Sequence, residues 1–260
     1  MVGTAISPFV ALLILVPTSV GGRLITRHQA VSGKNVVAAS EPARRPAYLK
    51  AFVIDDRISV LRREPTSQSE ALRRLRLGHV VFVIQGNNAS ADSRFCRIAV
   101  SRRTRGWIHR SALAVERRAG EDKRLMRLIE ATHDGVDRIT LCRILIERFG
   151  RSPLVPRAFL VMGEEADRAA ESLSQRARRR NPESTAVSPN VPWRDYYLND
   201  PGLDRYSRLH IVFDFDEARS EYVYDGKAYR EILKRYPNGQ EAVVARRHLN
   251  DAREKTPGPH

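Results

Sequence analysis

The chain has 260 residues and a net charge of +15, with 42% hydrophobic and 29% charged residues. This hydrophobic content supplies a packed core and this length allows one or two domains, so the composition excludes a wholly disordered chain. The chain has only 2 cysteines, which excludes a disulfide-built scaffold and an all-cysteine zinc site.

The first segment is apolar. Phe9 to Val16 is an unbroken hydrophobic run, shorter than the roughly 20 residues of a membrane span and typical of the apolar part of a secretory signal. No Lys or Arg precedes the run, so a membrane anchor and a buried segment remain open alternatives. We predict a signal peptide or N-terminal anchor over residues 1–21 and a polar linker over 22–47. A periplasmic or other extracytoplasmic location follows, with membrane contact only through this segment.

Residues 48–116 contain short apolar runs separated by turn residues, which is typical of strands. This part also carries most of the charge, because Tyr48 to Arg118 hold 15 basic and 6 acidic residues, a net of +9. We expect a small β-barrel, since an open sheet of this size would expose its edges. The predicted strands are Ala51–Ile54, Ile58–Leu61, Val80–Ile84, Phe95–Val100 and Gly106–His109.

Three motifs in this part resemble bacterial SH3-like (SH3b) domains. They are Ile58 to Pro65 (ISVLRREP), Leu75 to Gly78 (LRLG) and Gly106 to Leu113 (GWIHRSAL), which follow the family's order of an opening arginine–proline stretch, a glycine turn and a closing Gly-Trp. The resemblance covers about a quarter of the chain. It implies an SH3-like barrel that binds cell-wall peptides, glycans or protein segments, and it implies no catalysis.

The candidate ligand-binding residues lie at the end of this part. Trp107 could anchor a ligand, or it could pack in the barrel core with its indole N–H bonded to a carbonyl. Arg102, Arg103 and Arg105 lie in a predicted hairpin turn, and their guanidinium groups suit carboxylates and phosphates. Arg outnumbers Lys 39 to 6, so a solvated arginine surface is the alternative. His109 is a further candidate ligand-binding residue. The sequence near it shows no pattern of a serine and an acidic residue that would make it a catalytic base.

Residues 119–255 are predicted to be mainly helical. Apolar residues recur with helical spacing over Asp122–Thr132, Asp137–Phe149 and Leu154–Arg179. Comparing the chain with itself at an offset of 87 residues places Cys142–Phe149 over Tyr229–Tyr236. The second stretch resembles tetratricopeptide repeats, on the residues Ala228, Ile232, Tyr236, Pro237, Ala242 and Ala245. This resemblance implies a helical region for protein–protein interaction.

An insert over residues 181–225 interrupts the helices with four prolines and many aromatic residues. Leu209–Phe215 and Glu221–Tyr224 alternate like the strands of a hairpin. Asp214 and Asp216 would share one strand face, but no calcium-loop glycine pattern follows, so we predict a solvated hairpin and no metal site. Cys96 and Cys142 are expected to be separate buried thiols, with a disulfide as the alternative.

The sequence therefore predicts an α+β protein: a small SH3-like β-barrel followed by an α-helical, tetratricopeptide-like region with a β-hairpin insert. We expect a non-enzymatic, exported binding or scaffold protein without a cofactor or metal, whose partner is a protein or a cell-wall peptide or glycan. Nucleic-acid binding by the basic half is the first alternative. An accessory part of a cell-wall hydrolase is the second. The oligomeric state stays unknown.

Overall fold

The computed structural model describes residues 47–85, 94–179 and 193–255. The chain divides into two compact units, Met1–Arg44 and Arg45–His260, and every described residue belongs to the second. The predicted signal or anchor over 1–21, nearly all of the linker over 22–47 and the first part of the 181–225 insert lie outside the described residues. Within the described ranges, no helix combines the length and hydropathy needed to cross a membrane.

The first half of the described chain forms a seven-stranded antiparallel sheet. The strand order is β3-β2-β6-β5-β4-β1-β7. The strands are β1 (Tyr48–Val53), β2 (Val60–Arg62), β3 (Ala71–Arg74), β4 (Val80–Ile84), β5 (Phe95–Ala99), β6 (Arg105–His109) and β7 (Leu113–Val115).

Alternation of side chains along the strands produces one apolar core and one outward face. Val81, Ile98 and Ile108 are completely buried in this core. Five strands correspond to the predicted ones and are confirmed, namely β1, β2, β4, β5 and β6. The sequence analysis missed β3, because all its side chains are exposed and two are arginines, and it missed β7, which has only 3 residues.

The sheet is not closed as a barrel, which corrects the prediction. Strands β3 and β7 stand at its two ends and do not pair. The edge at β7 is instead blocked by Arg124, whose guanidinium donates to the carbonyls of Ser111 and Leu113. Val115 accepts from the Arg118 N–H. These carbonyls already have hydrogen-bond donors, so they do not require pairing with another strand. Strand β3, for its part, has no buried side chain that could pack over β7.

Helices follow the sheet, with one β-hairpin between them. They are α1 (Glu121–Ala131), α2 (Gly135–Arg148), α3 (Val155–Arg179), α4 (Trp193–Leu198), α5 (Asp204–Ser207), α6 (Lys227–Arg235) and α7 (Gln240–Lys255). The hairpin pairs β8 (Phe213–Asp216) with β9 (Glu221–Tyr224). The hairpin and the bounds of β9 are confirmed, whereas β8 begins four residues later than the predicted Leu209. The three helices predicted before residue 180 are confirmed within a few residues of their bounds.

The long helix α3 is the centre of the helical part. It packs against α2, α6, α7 and β9. The apolar cluster around it also contains Phe52, Ile54 and Ala114 of the sheet region. Sheet and helices therefore share a core, and the predicted α+β class is confirmed.

Helices α6 and α7 form a second helical pair, in which the predicted small residues lie inside. Ile232, Ala242 and Ala245 are fully buried, and Ala228 is almost fully buried. Small side chains at these positions let the two helices approach closely. The packing is compatible with the tetratricopeptide resemblance and does not by itself assign the family.

The two aspartates of the hairpin have partners within the protein. Asp214 forms an ion pair with Arg194, with 2.7 Å between Oδ1 and Nη2. The Asp216 carboxylate accepts from the N–H groups of Ala218 and Arg219 and so closes the hairpin turn. Cys96 and Cys142 are separate, buried and free.

Candidate ligand-binding face of the sheet

Strand β6 directs Arg105, Trp107 and His109 to the outward face of the sheet. Its burial alternates, because Gly106 and Ile108 are buried and the three outward residues are exposed or half-buried. This alternation places three of the five predicted site residues on one face. It also removes Trp107 from the inner apolar core, to which its neighbour Ile108 belongs.

Trp107 has an arginine on either side. Its register partners are Arg97 on β5 and Arg62 on β2. Directly opposite residues in antiparallel strands have Cβ atoms about 4.5–5.5 Å apart. The Arg62 side chain is oriented by a hydrogen bond of 2.6 Å from Nη1 to the Ser69 carbonyl. The indole therefore lies in a row of guanidinium-bearing side chains.

Gly106 allows this row to form. A Cβ at Gly106 would lie 2.6 Å from the Arg62 carbonyl oxygen and 3.0 Å from the Leu61 side chain. A larger residue would separate β2 from β6, and Arg62 would no longer stand beside Trp107. The glycine of the Gly-Trp motif thus has a direct role in placing the tryptophan.

The outward face continues across β4 and β1 with further aromatic and basic residues. Phe82 pairs with Ala99 of β5 and with Lys50 of β1, and its exposed fraction is 41%. Tyr48 is also exposed, at 46%. We call these outward residues the Trp107 face; its members are Tyr48, Lys50, Arg62, Phe82, Arg97, Arg105 and Trp107.

The Trp107 face carries positive charge without compensation from its own strands. None of the seven strands of this sheet contains Asp or Glu. Arg73 and Arg74 of the neighbouring edge strand β3 are exposed as well, and Arg74 donates to the Asp56 carbonyl across 2.9 Å. The face can therefore attract anionic groups, with aromatic surfaces between its cations.

The remaining predicted site residues differ from one another in their surroundings. Arg102 and Arg103 are exposed in the turn between β5 and β6, where the Ser101 hydroxyl accepts the N–H of Arg103. They extend the positive charge of the Trp107 face past the start of β6. His109 packs edge-to-face against Phe95 with 5.6 Å between ring centroids, and its Nδ1 is buried without a hydrogen bond. His109 therefore packs against its neighbour Phe95 on this side of the sheet.

Sequence reasoning missed Arg62, Arg97 and Phe82. The hairpin between β5 and β6 could have revealed Arg97, because a short turn at Ser101–Thr104 sets the register that pairs Arg97 with Trp107. The pairing of Arg62 with Trp107 joins residues distant in sequence and had no local signal. No group of three or more His, Cys, Asp or Glu that could hold a metal ion occurs among the described residues.

Comparisons with known proteins found no match: no family model, no curated protein and no solved structure matches the chain.

Proposed function

We propose that this chain is a non-enzymatic, exported binding protein whose sheet is an SH3b-like module. The module recognises an extended anionic ligand, either a peptide or a cell-wall glycan bearing carboxylates. The observation that carries the proposal is the Trp107 face, on which Trp107 stands between Arg62 and Arg97 in strands free of acidic residues.

The chemistry of this face fits recognition of a flat or extended anionic chain. The indole offers a rigid apolar surface that costs little conformational entropy on binding. The guanidinium groups beside it donate paired hydrogen bonds to carboxylates. Because these cations are partly exposed, we expect a modest affinity that falls as salt rises.

The helical region is proposed to dock a partner protein or to present the sheet. Support comes from the resemblance of the α6–α7 pair to tetratricopeptide repeats and from a cleft of about 530 Å³ between α3, β9 and α7. Export rests on the apolar run Phe9–Val16 and on the SH3b resemblance. We propose no cofactor.

Replacing Trp107 by alanine is expected to weaken binding of soluble cell-wall fragments by about 5- to 150-fold, since loss of one aromatic contact of this kind costs about 1–3 kcal/mol. Trp107→Phe should recover part of the affinity. Binding would be measured by calorimetry at low salt with fragments released by a muramidase. Arg97→Gln should weaken binding and also reduce its salt dependence.

Tyr236→Ala is the matched control, because Tyr236 is a partly buried aromatic residue at the end of α6. It should leave the affinity unchanged. Thermal unfolding of each variant shows whether the fold is retained. Equal binding by native protein and a folded Trp107→Ala variant, or no binding by the native protein, would contradict the proposal.

Nucleic-acid binding is the second candidate, and one observation favours it. Trp107, Phe82 and Tyr48 alternate with Arg and Lys across one face, an arrangement that suits base stacking and phosphate contacts. A single-stranded oligonucleotide tested beside the cell-wall fragments distinguishes the two. Tighter binding of the oligonucleotide, with a steep loss as salt rises, would favour this candidate.

A further inference from the structure

The inner core of the sheet opens at one end into a cavity of about 580 Å³. Inward-facing side chains of β1, β4, β5 and β7 form its apolar surface, and these are Leu49, Val83, Cys96, Leu113 and Val115. We call it the Cys96 cavity. Trp107 and Arg105 do not line it, whereas Phe95 and Arg97 of β5 do, so the cavity adjoins the Trp107 face at Arg97.

Arginines surround the opening of this cavity. Arg97, Arg110, Arg117 and Arg118 line it together with Glu116, so the cations exceed the anion. Arg110 and Arg117 have no ion-pair partner among the described residues, and Arg118 has only a contact of 3.9 Å to Glu121. Glu121 itself is bonded to Arg124. The guanidinium groups at the opening are thus available to an anion.

Backbone hydrogen bonds hold the main chain of Arg110 and Arg118 in place. Arg117 adopts a left-handed conformation with φ of 65°, which costs a residue with a side chain roughly 1–2 kcal/mol. Arg118 follows it and donates its N–H to the Val115 carbonyl. Arg110 donates its N–H to the Arg94 carbonyl across 2.7 Å. The arginines at the opening of the apolar cavity therefore belong to a hydrogen-bonded main chain.

We propose that the Cys96 cavity binds a small amphiphilic carboxylate, with its aliphatic tail inside and its carboxylate on Arg110 and Arg118. A volume of about 580 Å³ lies within the roughly 300–1,000 Å³ of small-molecule sites. Burial of an aliphatic chain supplies about 0.8 kcal/mol for each CH₂ group. The arginine pair selects the acid over a neutral molecule of the same length.

Cys96 provides a direct report of occupancy. It is 9% exposed and lines the cavity, whereas Cys142 is completely buried. Burial raises the pKa of the Cys96 thiol to about 11, although the nearby charges of Arg110 and Arg118 act in the opposite direction. Because only the thiolate reacts, modification of Cys96 should accelerate about tenfold for each pH unit between pH 7 and pH 10.

The test measures modification of Cys96 by N-ethylmaleimide, followed by peptide mass spectrometry, in the full chain. Decanoate below its micelle concentration should slow the modification at least tenfold, and decanol at the same concentration should slow it much less. The double variant Arg110→Gln/Arg118→Gln should lose protection by decanoate. Arg127→Gln/Arg157→Gln, which removes the same charge from exposed helix positions, should keep it.

In the Trp107→Ala variant, decanoate should still protect Cys96 from modification. Failure of the proposed peptide or glycan site and failure of the Cys96 cavity can therefore be told apart. Absence of protection in the native chain would overturn the inference. Equal protection by decanoate in the native chain and the Arg110→Gln/Arg118→Gln variant would overturn it too, because the acid group would then have no partner at the cavity. Calorimetric titration with decanoate gives an independent measurement of the same binding.

Discussion

Replacing Tyr229 by alanine is expected to lower the free energy of unfolding by about 3–5 kcal/mol. Tyr229 is 2% exposed, its ring stacks on His248 with 4.6 Å between centroids, and its hydroxyl donates to Asp167 across 2.6 Å. Burial raises the pKa of the Tyr229 phenol, as does its hydrogen bond to Asp167, so the hydroxyl stays protonated as a donor. The variant loses a packed ring and a hydrogen bond together.

Gly163 provides the matching test of this packing. A Cβ at Gly163 would lie 2.6 Å from two ring atoms of Tyr229, and the ring cannot move away because Asp167 and His248 hold it. Gly163→Ala should therefore destabilise the native chain by about 1–3 kcal/mol. In the Tyr229→Ala background the same change should stabilise by up to about 1 kcal/mol, because alanine favours the helix and the ring is gone.

Urea denaturation of the two single variants and the double variant measures this reversal of sign. A stabilising Gly163→Ala in the native background would show that the ring does not rest on α3 at this point.

Replacing Glu165 by glutamine is expected to destabilise the fold by about 3 kcal/mol, since it leaves a largely buried arginine without its counter-charge. Glu165 of α3 is 6% exposed. It accepts from Arg138 of α2 across 2.5 Å and also pairs with Arg168. The ion pair with Arg138 joins the two helices, and only 19% of the Arg138 side chain is exposed.

The exposed Glu171 on the same helix is the matched control. Glu171→Gln should change the free energy of unfolding by less than about 0.5 kcal/mol. Replacing both partners, as in Glu165→Gln/Arg138→Met, should recover part of the loss because no buried charge is then unpaired. An equal effect of Glu165→Gln and Glu171→Gln in urea denaturation would show that the buried pair contributes nothing.

Local patterns predicted the helices and most strands well. The 3.6-residue spacing of apolar side chains located α1, α2 and α3, and short apolar runs located β4 and β5. These signals are strong because each element buries one face. Strand β3 has no such face, because all its side chains are exposed, so no apolar pattern marks it in the sequence. Its place at the sheet edge depends on pairing with β2, which joins residues remote from it along the chain.

The candidate site was predicted in part for the same reason. Trp107 and His109 alternate along the predicted strand, and alternation puts them on one face. Arg105 was predicted in the turn, and the structure instead places it at the start of β6. The partners of Trp107 come from β2 and β5, and only the sheet register identifies them. The openness of the sheet was not predictable either, since it depends on the Arg124 side chain, which lies on a helix and bonds the edge of β7.

Ligand binding at the Trp107 face is measured most directly by a map of amide chemical shifts in the ¹⁵N-labelled protein during titration with soluble cell-wall fragments. If the Trp107 face binds these fragments, the largest changes fall on residues 60–62 and 95–99 and on Arg105–His109, with the indole N–H of Trp107 among them. Changes confined to the helices after residue 121, with the Trp107 indole unmoved, would contradict it.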